Sequence, residues 1–255
     1  MSRKFTIERD TGSVDVIVYN DGDFNKYGTK HRVSKRFIEF LLDKRRREDP
    51  DLPEIEEIVY AGPSKAGGAY ALAVGAEECG IRSRLFLSGK ELPPHAQDLP
   101  KSVTVHLMRA SLAGVTHSAN KHIKRRFGKA VLIPFGADDP DYCNMLYEDI
   151  VDDPTVQPLI EMKPKRIWMA VGSGALLSVF MRIFPETYFH AVQVGKKLKP
   201  ELRSHPRVTT YWAPERFNHD ATTQPPYKCV TNYDAKVWQF LLTKAEEGDV
   251  VWTVL

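Results

Sequence analysis

No uninterrupted apolar run in the 255 residues approaches the roughly 18 that a bilayer-spanning helix requires, and the N-terminus MSRKFTIERD lacks the apolar stretch of a signal peptide. No membrane partner is expected, and the expected location is cytoplasmic. Cysteine is scarce: Cys79, Cys143 and Cys229 are an odd number at wide spacing, which excludes a disulfide framework and matches no zinc ligand set. His117 and His122 lack a third ligand nearby in sequence, so no metal is expected, and His190, in an apolar run, reads as a core histidine. There is no internal repeat and no low-complexity tract. A net charge of +3 is too small to argue by itself for nucleic acid. With 42% hydrophobic and 27% charged residues, the composition excludes disordered and fibrous classes.

What the sequence does contain is an alternation of short β-rich runs with longer helical ones. EIVYAG (57–62), RSRLFLSG (82–89), SVTVHLMR (102–109), AVLIPFG (130–136), RIWMAVG (166–172), YFHAVQVG (188–195) and a closing DVVWTV read as strands. Between them, 66–80, 112–128, 176–184 and 233–248 read as helices, two of them ended by Gly80 and Gly128. That order predicts an α/β fold with parallel sheets flanked by helices, arranged as two interleaved lobes. The lobe boundaries are expected at 50–130 for the smaller and at 1–49 plus 131–255 for the larger.

Two stretches carry candidate chemistry. In VGSGALL (171–177) a strand meets a helix through two glycines, which leaves backbone N–H groups bare at the positive end of the helix, a place suited to an anion such as phosphate. The stretch is neither a Walker loop nor a full dinucleotide fingerprint, because Leu177 stands where the third glycine would be. In FNKYGTKHRVSKRF, Lys30 lies between a Gly-Thr turn and an amphipathic helix; a lysine desolvated there has a lowered pKa and condenses with aldehydes. Positive charge concentrates in KRRR (44–47) and KHIKRRFGK (121–129), either as solvated helix faces or as places that hold phosphates.

Taken in order, these segments resemble the pyridoxal-phosphate enzymes of fold type II, the tryptophan synthase β-like class, and within it the branch of aminocyclopropane-carboxylate deaminase and D-cysteine desulfhydrase. YGTKHR is similar to the family's cofactor-lysine turn, and the resemblance assigns that role to Lys30. GPSKAGGAYALAVGAEECGI is similar to the turn and Ala-rich helix under the cofactor ring, which places Ser64, Lys65, Ala66, Gly67 and Gly68 beside pyridoxal 5′-phosphate. VGSGALLSV is similar to the phosphate loop, implying that Gly172, Ser173, Gly174 and Ala175 bind the phosphate, and PPYKCVTNYDAKVW implies that Tyr227 is an active-site tyrosine. Gly67 replaces the usual asparagine, and the chain stops near the point where the family faces the pyridine nitrogen, leaving Thr253 as the substitute and a shortened C-terminus.

The resemblance implies a homodimer and a lyase, a decarboxylase or eliminase, acting at Cα of an amino-acid group. The compact chain also looks like small phage-borne members that process amino-acid groups on thymine bases, with DNA held by segments 44–47 and 121–129. A deaminase or desulfhydrase of a free small amino acid and a non-catalytic binding module with the same fold remain the alternatives at this stage.

Overall fold

The computed structural model describes residues 2–23, 27–93, 96 and 98–254. The chain divides into two compact units, one made of Met1–Thr29 with Leu146–Leu255 and the other of Lys30–Met145. The first is built from two separate stretches of sequence, and the second is inserted between them. The expected α/β architecture is present, with one sheet in each unit. Among the described residues, no helix is long and apolar enough to cross a membrane.

The first unit opens with a hairpin, β1 (Ser2–Arg9) and β2 (Gly12–Asn20), the antiparallel pair in a six-stranded sheet. Strands β7 (Arg166–Val171), β8 (Tyr188–Gln193), β9 (Val208–Trp212) and β10 (Asp249–Thr253) complete it in the order β1-β2-β10-β7-β8-β9, parallel from β2 onward. A strand between two parallel neighbours is covered on both faces and tolerates only apolar side chains. The centre of β10 obeys this, with Val250, Val251 and Trp252 all buried, while the buried polar residues at its two ends are hydrogen-bonded, Asp249 to Arg166 and Trp168 and Thr253 to the Tyr19 carbonyl. Helix α8 (Trp238–Lys244) lies on one face. The carbonyls of Leu241, Leu242 and Ala245 near its end accept hydrogen bonds from the Arg9 guanidinium, so the hairpin adds to the Ala245 N–H, which closes the helix on Leu241, and supplies donors to the two other carbonyls. The sequence reading made this helix 233–248; the structure has a 3-10 turn at Asp234–Val237 before it and an extended Ala245 after it.

The second unit holds a four-stranded parallel sheet, β5-β4-β3-β6, made of β3 (Glu57–Pro63), β4 (Arg82–Ser88), β5 (Val103–Met108) and β6 (Ala130–Ile133). β6 stops three residues short of the sequence expectation because Pro134 has no N–H to extend the ladder and Gly136 turns the chain at φ +76°. Helices α1 (Ser34–Glu48) and α2 (Gly67–Glu78) pack together at close range. Gly75 permits this: a Cβ there would lie 2.7 Å from the Ser34 carbonyl carbon and 2.8 Å from the Lys35 nitrogen. Because both neighbours are backbone, Gly75→Ala is expected to cost about 1–3 kcal/mol of stability, measured as a shift of the urea midpoint. A midpoint at or above that of the wild type would mean that α1 yields freely. Helix α3 (Leu112–Arg125) covers one face of the sheet through Val115 and Ala119. It ends before Gly128, and Arg126 to Lys129 form a turn closed by the Lys129 N–H on the Arg126 carbonyl.

Candidate active site

In the inserted unit, Lys30 lies in a single 3-10 turn, and its carbonyl accepts a 2.7 Å hydrogen bond from the Tyr142 hydroxyl on α4 (Pro140–Asp152). Its side chain runs along Gly68, the second residue of α2, where a Cβ would come within 2.8 Å of Lys30 Cδ and 3.4 Å of Nζ. Only a glycine leaves the amine that channel. Burial pushes the Lys30 pKa down to about 8, against the opposing pull of Cys143 and Asp138. About a tenth of such amines are neutral at pH 7, against roughly one in three thousand for an unperturbed lysine.

The turn Ser64–Gly68 leads from β3 into α2. Ser64 is buried, its N–H donates to the Ser88 carbonyl at 2.9 Å, and its own carbonyl accepts from the Tyr70 hydroxyl. Lys65 pairs with Glu91, and Ala66 closes a turn on the Pro63 carbonyl just before Gly67 opens the helix. Of the residues singled out from the sequence, the fold of this unit brings Lys30 against Gly68.

In the first unit, Gly172, Ser173 and Gly174 connect β7 to α6 (Ala175–Ile183). Gly174 has φ +93°, and a Cβ there would meet Leu202 Cδ1 at 2.7 Å and Leu198 Cδ2 at 2.8 Å, so the turn needs glycine on two counts. Ala175 starts the helix, leaving the amides of its first turn without helical partners. Two side chains that the sequence reading did not single out fix this turn. Buried Gln193, at the end of β8, donates to the Gly172 carbonyl at 3.4 Å and to the Lys196 carbonyl, and it accepts from the Leu198 N–H at 2.9 Å. The Tyr233 hydroxyl stands 3.3 Å from where a Gly172 Cβ would be and donates to the Ala170 carbonyl at 3.4 Å. Nothing in the local sequence marks Gln193; Tyr233 lies six residues beyond the tyrosine the sequence had pointed to.

Tyr227 itself packs at 90° to Trp238 and tilted against Phe5, with ring centroids 5.7 and 5.1 Å away. Its hydroxyl is buried without a hydrogen-bond partner among the described residues, and burial raises its pKa well above the usual tyrosine range. Thr253 is buried at the end of β10 and donates its hydroxyl to the Tyr19 carbonyl at 3.3 Å. In the same unit, Gly28 at φ +74° turns the chain into Thr29, whose N–H donates to the Val254 carbonyl at 2.9 Å and whose hydroxyl accepts from Trp252 Nε1 at 3.3 Å. Lys30 is the next residue in the chain.

His122 and His190 serve the framework. His122 is hydrogen-bonded to the buried Glu57 carboxylate, which also takes a 2.9 Å bond from Arg84. His190 stacks on Trp168 at 4.1 Å and shares a 3.0 Å hydrogen bond with the Tyr211 hydroxyl; burial, aided by Arg166, holds its pKa down to about 4. A histidine depressed in the folded state is protonated more readily when unfolded, so stability falls as pH drops from about 6.5 toward 4. Allowing for partial solvent screening, His190 is expected to cost about 1–2 kcal/mol between pH 7 and 5. His190→Phe should flatten that part of the urea-midpoint profile, and an unchanged profile would assign the acid sensitivity elsewhere.

No protein-family model matches this sequence, nor does any curated protein, whereas many solved structures match the fold. An aminocyclopropane-carboxylate (ACC) deaminase homologue superposes with a TM-score of 0.68 at 17% identity, covering 99% of this chain and 88% of its own. Diaminopropionate ammonia lyase from Escherichia coli gives 0.64 at 11% identity, over 94% of this chain and 78% of its own. The O-acetylserine-dependent cystathionine β-synthase of Helicobacter pylori gives 0.65 at 13%, over 100% and 91%. The fold is that of the type II pyridoxal-phosphate enzymes. Within this type II fold, Lys30 and the Gly172–Ala175 turn are each set by their own unit's packing.

Proposed function

We propose that the protein is a pyridoxal-phosphate-dependent lyase that cleaves a bond at Cα of an amino-acid substrate, with Lys30 as the cofactor's covalent anchor. The observation that carries this reading is the Lys30 amine seated on Gly68 with its pKa lowered to about 8. The residues present fit the cofactor: a partly neutral amine condenses with an aldehyde, and the amides at the positive end of α6, where Ala175 N–H makes only a long 3.4 Å bond to Ser173 Oγ, would hold a phosphate.

When bound, the cofactor supplies an electron sink for the charge left at Cα by bond cleavage. The chain supplies the rest. Near neutrality Lys30 Nζ is populated in both charge states, so it can take a proton from Cα and return it. Gly172, Ser173, Gly174 and Ala175 would hold the phosphate, with Gln193 and Tyr233 keeping their backbone in place. Ser64, Gly67 and Gly68 would lie beside the ring, and Tyr233, whose hydroxyl stands against Gly172, would orient a ligand at the glycine turn. Two of the similar folds carry the names deaminase homologue and ammonia lyase, which favours elimination over decarboxylation and a small amino acid as substrate.

Incubation with pyridoxal phosphate, borohydride reduction and peptide mapping test the reading. A phosphopyridoxyl group on Lys30 is expected. A protein that stays colourless and unlabelled, or a label on Lys65 instead, would refute it, the former in favour of a binding module.

A further inference from the structure

We propose that the outer face of α3 and the turn that follows it bind a single-stranded nucleic acid, with phosphates on Lys121, Lys124 and Arg125 and a base stacked on Phe127. The proposal does not depend on the lyase reading, because it rests on a different surface of the inserted unit.

Residues 112–129 contain no aspartate or glutamate. Five lysines and arginines fall in this stretch, and the structure divides them into two groups. Arg126 and Lys129 are spent on Glu56, at 3.0 and 2.8 Å. Lys121, Lys124 and Arg125 are exposed and make no ion pair among the described residues. Their i, i+3, i+4 spacing puts them on one helix surface, about 5–6 Å apart at Cβ, so successive phosphates of a flexible strand each meet a cation.

Phe127 separates this face from an ordinary solvated one. It is 83% exposed, more than any other large apolar side chain described. It also has φ +48°, followed by Gly128 at φ +87°, so a bulky aromatic occupies a left-handed turn position that glycine or asparagine would fill without strain. Neither burial nor backbone preference accounts for a phenylalanine there, whereas an exposed ring beside free cations is the arrangement that stacks a base. The turn is held firmly, since Arg45 Nη1 donates to the Gly128 carbonyl at 2.8 Å and to that of Pro53 at 3.3 Å. The second basic run thereby acts as a support. Lys44 is paired with Asp141, and Arg46 with Asp43 and Glu54. An acidic peptide would meet the same cations but would leave the exposed ring without a planar partner to stack on it.

The test is fluorescence anisotropy of a labelled oligothymidylate titrated with the full chain at several salt concentrations. With three phosphate contacts, the log–log salt slope is expected near about −2. Phe127→Asn keeps the left-handed turn and is expected to weaken binding on the order of tenfold with no loss of melting temperature. The Lys121→Glu, Lys124→Glu double variant should abolish binding. Absence of binding at low salt, undiminished affinity of Phe127→Asn, or equal competition by polyglutamate would each overturn the proposal.

Discussion

Replacing Lys30 with methionine is expected to abolish the reduced phosphopyridoxyl adduct and to lower lyase activity by a factor on the order of a thousand or more. The same change should make the protein more stable at neutral pH. A folded-state pKa of about 8 lies below the roughly 10.4 of an unfolded lysine, so between these values the unfolded chain binds the extra proton. Stability therefore rises with pH across that window, and at pH 7 the full penalty, about 2–3 kcal/mol, is present. Methionine has no proton to bind and fills the channel over Gly68 with similar bulk. Urea unfolding at pH 7 and pH 10 checks this: the wild type should gain stability at the higher pH relative to the variant. Parallel behaviour of the two would mean that the amine is hydrated. The rate of adduct formation should correspondingly climb about tenfold per pH unit until it levels near pH 8.

The second large effect belongs to Gly174. Alanine there must adopt φ +93° and push back the Leu198 and Leu202 methyls, which as side-chain ends withdraw in part. A loss of about 1–3 kcal/mol is expected, together with displacement of the amides at the start of α6. Inorganic phosphate should raise the melting temperature of the wild type, and Gly174→Ala should need at least about ten times more phosphate for the same rise. Equal protection of both proteins would show that the turn holds no anion.

Most of the α/β framework was legible because parallel strands buried on both faces read as short apolar runs, and two of the helices between them are followed by glycine, Gly80 and Gly128. The hairpin at the N-terminus was not singled out, although Val14, Val16 and Val18 alternate and the register pairs Arg9 with Gly12 across a two-residue turn. Its polar, exposed first strand hides it, since an edge strand is stabilised by its neighbour more than by its own side chains. At the site, Lys30 and the glycine turn could be read from local pattern, because backbone conformation limits which residue fits. Gln193 and Tyr233 act on Gly172 from 21 and 61 positions away in the chain, and no local pattern encodes such a contact. Tyr227 packs against Phe5 and Trp238, and a tyrosine after two prolines suits an aromatic cluster as well as a ligand site, a choice that spacing alone does not make.

The pairing of β2 with β10 has a consequence for the newborn chain. Roughly 230 residues separate the two strands, at synthesis speeds of about 5–20 residues per second a delay on the order of tens of seconds. Until Trp252 and Val254 leave the ribosome, Thr29 lacks these two partners, so the segment leading into Lys30 is fastened long after it is made. A nascent polypeptide halted before that point would carry a half-built sheet with an open edge, a natural target for chaperones.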